Sequence, residues 1–280
     1  MIQGKLSLVM PAHNEVQNLP AVVARAVEVL TRLAESYQIV IVDDGSQDGT
    51  TQLIDKLASD NPSILAVHHP RNLGYGAALT SGFKAATGDY IMFMDADQQF
   101  DIGDLTYLAP FIGQYDIVAG YRLHRQDALY RLVYARIFNL AVRPLFGVKV
   151  RDVDCAFKVC RADLLHQIEL TSPGALINTE LLAKAIRSGA RIVEVGVNHY
   201  PRPSGESSGG SPKVVFRAMK ETLALWLRMR LYQPIEGFES LSSTAEGNGK
   251  RPRTKIPLLA AIAVIVLLAV IWVVRRGQCE

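Results

Sequence analysis

Two carboxylates one residue apart, Asp95 and Asp97, close a continuous apolar run at residues 90–94. In an extended backbone, positions i and i+2 point to the same side, so both side chains face one point in space. Held together they repel, unless a cation sits between them. Hard oxygen ligands suit Mg²⁺ or Mn²⁺, and such ions usually also hold substrate phosphates. An isolated D-x-D is short and common, and a solvated Asp-rich turn explains it equally well. The rest of the chain has to decide.

An apolar run without alternation is what a strand buried on both faces requires. Residues 6–10, 38–42, 64–68 and 115–121 read as further strands, with others near 158 and over 191–199. Helices are expected over about 18–36, 48–58, 75–86, 127–146, 178–188 and 212–232. Alternating strands and helices through the first 120 residues argue for an α/β domain with a mostly parallel sheet. Polar residues cluster after each strand, on one sheet edge: Pro11 to Glu15, Asp43 to Ser46, Arg71 to Gly76, and Asp95 to Asp101. Ligands of open α/β sheets bind at that edge, beyond the carboxyl ends of the strands. Gly74-Tyr75-Gly76 imitates a dinucleotide fingerprint, with Asp95 about 20 residues on. The third glycine is missing and the motif follows the third strand, so tight helix–loop packing is the simpler account.

Net charge is only +3 over 280 residues, which excludes a general nucleic-acid binder, and 49% hydrophobic residues suffice for a substantial core. Three cysteines, Cys155, Cys160 and Cys279, lack metal-ligand spacing and suggest reduced thiols in the cytosol. No signal peptide is expected, because Pro11 interrupts the short apolar run at 6–10. Residues 256–274 carry no charge over 19 positions, long enough to span a bilayer once. Four Lys and Arg precede that run and two follow it, which places the N-terminal side in the cytoplasm. In the helix at 212–232, Lys213, Arg217, Lys220, Glu221 and Arg228 share one face, opposite Phe216, Met219, Leu223, Trp226 and Leu227. That pattern suits a helix lying in a membrane interface. Residues 236–255 have the composition of a flexible linker.

Together the blocks resemble the family 2 glycosyltransferases, most of all the branch similar to dolichyl-phosphate mannosyltransferase and the bacterial polyprenyl-phosphate glycosyltransferases. The carrying blocks are Pro11 to Glu15, Val42 to Ser46, Arg71 to Gly76, Asp95 to Gln99, Gly120 to Arg122, Asp152 to Lys158, and Arg202 to Ser207. The resemblance implies a Rossmann-like GT-A nucleotide-sugar-binding domain at 1–210. An interfacial helix at 211–235, the linker at 236–255, one transmembrane helix at 256–274 and a tail at 275–280 would complete the chain. It implies a donor site from Pro11, His13, Glu15, Asp43, Asp44, Arg71, Asp95, Ala96 and Asp97. It implies Mg²⁺ or Mn²⁺ on Asp95, Asp97 and Gln99, and an acceptor phosphate met by Arg122, Arg131, Arg202 and Ser207. Asp97, Arg122 and Arg202 would be the catalytic set. The implied partners are GDP-mannose or UDP-glucose, a polyprenyl phosphate and the membrane, with a homo-oligomer left open. Cys155-Ala156-Phe157 stands where that branch usually has Ser-Gly-Phe, which blurs the subfamily.

The chemistry agrees with those roles. A sugar leaving a nucleoside diphosphate needs stabilisation of the developing charge. An alcohol acceptor needs a general base, for which Glu180 or Asp152 would serve. A lipid monophosphate, with a second pKa of about 6, is already anionic and needs only fixed positive charge. Arginine supplies that charge with a planar fork matched to phosphate. Two other expectations remain beside the polyprenyl phosphate: a glycolipid or growing glycan as acceptor, or a silent membrane-tethered nucleotide-sugar scaffold. The intact Asp95, Asp97 and Gln99 speak against the scaffold. Arg136 and Arg143, outside any motif, read as solvated surface charge.

Overall fold

The computed structural model describes residues 1–123, 142–202 and 212–241, with side chains in the last stretch from 220 onward. Its strands are β1 (Ile2–Ala12), β2 (Ala34–Asp43), β3 (Ile64–His68), β4 (Tyr90–Phe93), β5 (Ile117–Leu123), β6 (Lys158–Arg161) and β7 (Ile192–Asn198). They form one seven-stranded sheet in the order β3-β2-β1-β4-β6-β5-β7. β6 runs antiparallel between β4 and β5, and every other neighbouring pair is parallel. The helices are α1 (Leu19–Leu33), α2 (Thr50–Asp60), α3 (Tyr75–Ala85), the short α4 (Leu105–Leu108), α5 (Ala162–Gln167), α6 (Ile177–Arg187) and α7 (Pro212–Leu231).

The sheet is covered on both faces, which explains its unbroken apolar runs. Val9, Val40, Val42, Ile91 and Phe93 pack into one layer with α3, α5, α6 and α7. Their strand neighbours Leu8, Met10, Ile39, Ile41 and Met92 pack into the other layer with α1, α2 and α4. From β1 the chain winds outward to β2 and β3, then returns to place β4 on the other side of β1. The winding reverses between β1 and β4, the place where open α/β sheets bind ligands.

Three expectations differ in detail. The first helix stops at Leu33, because Ala34 is already extended and pairs with Ile2 of β1. Strand pairing overrides the helical tendency of 34–36. Trp226 does not face outward. With Leu225 and Met229 it enters the core, at the spacing of a core-facing helix stripe. Finally, residues 236–241 are held to the domain rather than loose. Phe238 lies under the Arg161 guanidinium at 5.2 Å, and the Ser240 hydroxyl donates to Asp116 Oδ2 at 2.6 Å. Of the long helix expected at 127–146, residues 142–146 are helical. The remainder, with Arg131, Arg136, Ser207 and the run at 256–274, lies outside the described residues. Among those described, no helix is long and apolar enough to cross a membrane.

Candidate active site

β4 ends at Phe93, and the Met94 amide still donates to the Val9 carbonyl at 3.1 Å. Asp95 and Asp97 therefore follow directly in the crevice between β1 and β4. Gln98 takes a left-handed turn, φ 62°, which swings the Gln99 amide back onto Asp97 Oδ1 at 3.1 Å. Burial and the nearby charge of Asp97 push Asp95 up to about 7, while Tyr75, Arg122 and Lys158 pull it down. Burial raises Asp97 as well, against the Gln99 amide and Arg202. Asp95 Oδ1 is buried with no hydrogen-bond partner among the described residues. Two repelling carboxylates fit a divalent cation: they supply hard ligands and need a positive charge. Among the described residues no three His, Cys, Asp or Glu side chains gather around a common point. Gln99 turns its amide nitrogen toward the Tyr200 carbonyl at 3.4 Å, so its Oε1 is the atom that could ligate.

Arg202 follows β7 and reaches across this crevice. Its guanidinium pairs with Glu15 Oε1 and lies 4.0 Å from Asp97 Oδ2. β7 is tied in place by Tyr200, whose amide donates to the Gln99 carbonyl at 2.9 Å. Glu15 is fixed in turn by Asn18, whose Nδ2 donates to Oε2 at 2.7 Å. Arg122, in β5, makes a two-pronged contact with Asp152: Nε to Oδ2 at 2.6 Å and Nη2 to Oδ1 at 2.8 Å. Burial works against its charge, and Asp152 more than restores it. The structure thus joins Arg202 to Glu15 and Asp97, and Arg122 to Asp152.

The other expected donor residues form the wall beyond β1, β2 and β3. Asp44 accepts the amides of Leu73 and Gly74, each at 2.8 Å, and His69 at 2.7 Å. Asp43 accepts the Ser46 amide at 3.0 Å and the Thr51 hydroxyl at 2.5 Å. These bonds hold Asp43 below the usual carboxylate range despite its burial. Both carboxylates thereby order the loops that carry Arg71, which is itself exposed. A side chain at Gly45 (φ 70°) would collide with the Arg71 backbone at 2.4 Å, so glycine lets those loops meet. His13 is exposed beside the Asp44 carbonyl at 3.0 Å, and Pro11 and buried Ala96 line the crevice ends of β1 and β4.

Two residues considered as general bases are engaged elsewhere. Wholly buried Glu180 accepts from Thr171 and Ser172 and pairs with Lys184 Nζ at 2.7 Å. Burial raises it, but these partners hold it below its usual value. Asp152 is occupied by Arg122. Cys155, at the blurred motif, packs beside Gly120, and burial pushes its thiol up to about 12, so it is no nucleophile. Sequence reasoning missed Tyr75, Lys158 and Asn178, which lie behind Asp95. Lys158 closes a recognised block, and Tyr75 sits between two singled-out glycines, but neither position signalled its tertiary partner.

The chain is 31% identical over 207 residues to an undecaprenyl-phosphate 4-deoxy-4-formamido-L-arabinose transferase of Aeromonas hydrophila, covering 73% of this chain and 63% of that protein. It is 32% identical over 205 residues to the protein of the same name from Yersinia pestis, covering 72% and 62%. The chain thus spans less than two thirds of the length of these relatives. Among solved structures, glucosyl-3-phosphoglycerate synthase of Mycobacterium tuberculosis, bound to Mn²⁺, UDP and phosphoglyceric acid, superposes with a TM-score of 0.59. The match covers 84% of this chain and 81% of that one at 22% identity, and speaks for the fold alone. TarS of S. aureus with UDP gives a TM-score of 0.52 at 17% identity, covering 79% and 65%. The sheet is accordingly of the GT-A kind. The family model "Glycosyl transferase family 2" matches residues 7–168, more than half of the sequence, and the chain belongs to that family.

Proposed function

We propose that this protein is a membrane-bound glycosyltransferase that moves a sugar, a hexose in the first instance, from a nucleotide sugar to a polyprenyl phosphate. The observation that carries the reading is the meeting of Asp95, Asp97 and Arg202 at the reversal between β1 and β4. Asp95 and Asp97 would hold Mg²⁺ or Mn²⁺, with Gln99 Oε1 within the same turn. When bound, the ion would offset the charge that builds on the leaving diphosphate. Asp44 and Asp43 order the loops around the nucleoside, and Glu15 positions Arg202. Arg122 and Arg202 supply positive charge that does not titrate, for a phosphate that arrives already ionised. The engagement of Glu180 and Asp152 favours such an acceptor over an alcohol, which needs a free base. The names of the relatives support an undecaprenyl-type lipid, and UDP and Mn²⁺ in a structural neighbour make UDP sugars the first donors to test.

The membrane part of the proposal rests on the run at 256–274 and on α7. With Trp226 turned inward, the outer row is Leu223, Leu227 and Leu231, exposed by 41%, 51% and 81%. Exposed Lys220, Arg228 and Arg230 lie on the same outer side. An apolar row edged by basic residues suits an anionic bilayer surface. The catalytic part would face the cytoplasm. The test is a screen of radiolabelled UDP and GDP sugars with membranes containing the protein and added polyprenyl phosphate. Metal-dependent transfer of label into a mild-acid-labile lipid is expected. Label that enters only glycan or protein, never the lipid, overturns the acceptor assignment.

A further inference from the structure

We propose that Tyr75 is a positioning residue for Asp95: its phenol donates to Oδ1 of that carboxylate and turns the other oxygen toward a divalent cation. The inference rests on the reading that Asp95 and Asp97 hold such a cation. The Tyr75 hydroxyl and Asp95 Oδ1 are both buried, and neither has a hydrogen-bond partner among the described residues. One can donate, and the other, in the ionised form that would hold a cation, accepts. Leaving two such groups apart in the interior is unfavourable for both. A phenol with an ordinary pKa of about 10 keeps its proton at neutral pH and is therefore a donor.

Behind the phenol stands a set of buried polar groups. Lys158 is wholly buried, with its ammonium 5.5 Å from the Phe93 ring centre and donating to the carbonyls of Val153, at 3.1 Å, and Cys155. It also donates to Asn178 Oδ1 at 3.4 Å. Asn178 lies in turn beside the Tyr75 phenol. Lys158, Asn178 and Tyr75 thus stand together behind Asp95. The flanking glycines hold Tyr75 in place. Gly74 has φ 103°, and the Gly76 amide donates to the Pro173 carbonyl at 2.8 Å. A side chain at Gly76 would lie 2.1 Å from the Ser172 carbonyl. The motif that imitates a dinucleotide fingerprint is, on this account, a mount for one tyrosine.

The test uses the full chain in detergent, with Mn²⁺ titrated in the absence of donor and free ion followed by electron paramagnetic resonance. Partners of metal ligands typically change affinity tenfold to a hundredfold, so Tyr75→Phe should raise the Mn²⁺ Kd by about tenfold. Its melting temperature in chelator should stay close to that of the parent. Asn178→Ser, which loosens the phenol without touching the carboxylate, should shift the Kd in the same direction by a smaller factor. A folded Tyr75→Phe protein with unchanged Kd overturns the inference, as does a lowered melting temperature with unchanged affinity. A parent chain that binds no Mn²⁺ at all overturns instead the cation reading on which it rests.

Discussion

Asp97 has a backbone amide on one oxygen and a guanidinium near the other, so its charge and its shape can be separated. Asp97→Asn keeps the acceptor for the Gln99 amide and removes the negative charge. Activity in Mg²⁺ or Mn²⁺ should fall to a few per cent or less, with the melting curve nearly unchanged. Near-normal turnover by the folded variant would remove Asp97 from the metal site. Arg202 poses a different question, because it rests on Glu15 and Asp97 yet is assigned to the acceptor phosphate. Charge-assisted hydrogen bonds contribute roughly 1.5–3 kcal/mol each, so Arg202→Ala should lower kcat/KM by about tenfold to a hundredfold. The loss should fall mainly on acceptor KM, and Arg202→Lys, which keeps charge without the fork, should be milder. A loss of donor binding with acceptor KM unchanged would move Arg202 to the diphosphate.

Among the elements, α6 shows how a carboxylate near a site can serve the fold instead. Glu180 joins the 171–172 loop to the helix and neutralises Lys184. Glu180→Gln leaves a buried ammonium short of its partner and should cost about 2–4 kcal/mol at pH 7. Because the folded protein holds this carboxyl below its usual 4.5, the unfolded chain binds more protons in that range. The stabilisation is therefore complete above about pH 4.5 and is lost as pH falls through the folded value. Urea melts at pH 7 and pH 4 should show the gap between parent and Glu180→Gln shrinking in acid. Transfer activity of the folded variant should remain within a few-fold. Abolished turnover with intact stability would instead make Glu180 a base and revive an alcohol acceptor.

For the whole molecule, the proposal separates chemistry from location. Deleting residues 250–280 leaves the site residues in place and removes the apolar run. Activity on bilayer-embedded polyprenyl phosphate should drop at least tenfold, an order of magnitude expected when a tethered reaction becomes bimolecular. A short-chain, water-soluble polyprenyl phosphate should restore much of it. Equal loss on both acceptors would show that the deleted segment shapes the site itself. Orientation has its own check. Protease added to intact cells should leave residues 1–250 uncut until the membrane is permeabilised, and cleavage before that reverses the proposed topology.

The strands, most helices and the sheet edge that gathers the polar loops were legible in the sequence. Burial on both faces leaves unbroken apolar runs, and loops at one edge collect polar residues. Asp95 and Asp97 were legible as carboxylates just past a buried strand. The strand ends at Phe93, however, and the backbone bends from Ala96, so the extended geometry that would put i and i+2 on one side is not what brings them together. Only tertiary structure decided what each charge meets. Arg202 lies 187 residues from Glu15, and no local spacing could announce their pairing. The same holds for Asp152 on Arg122, for Glu180 serving a loop, and for Tyr75 with Lys158 and Asn178 behind Asp95. The wheel of α7 identified two faces, but which one turns inward depends on the α6 layer it packs against, and that layer claimed Trp226. A sequence specifies the period of a pattern locally, while the partner that buries it comes from elsewhere in the chain.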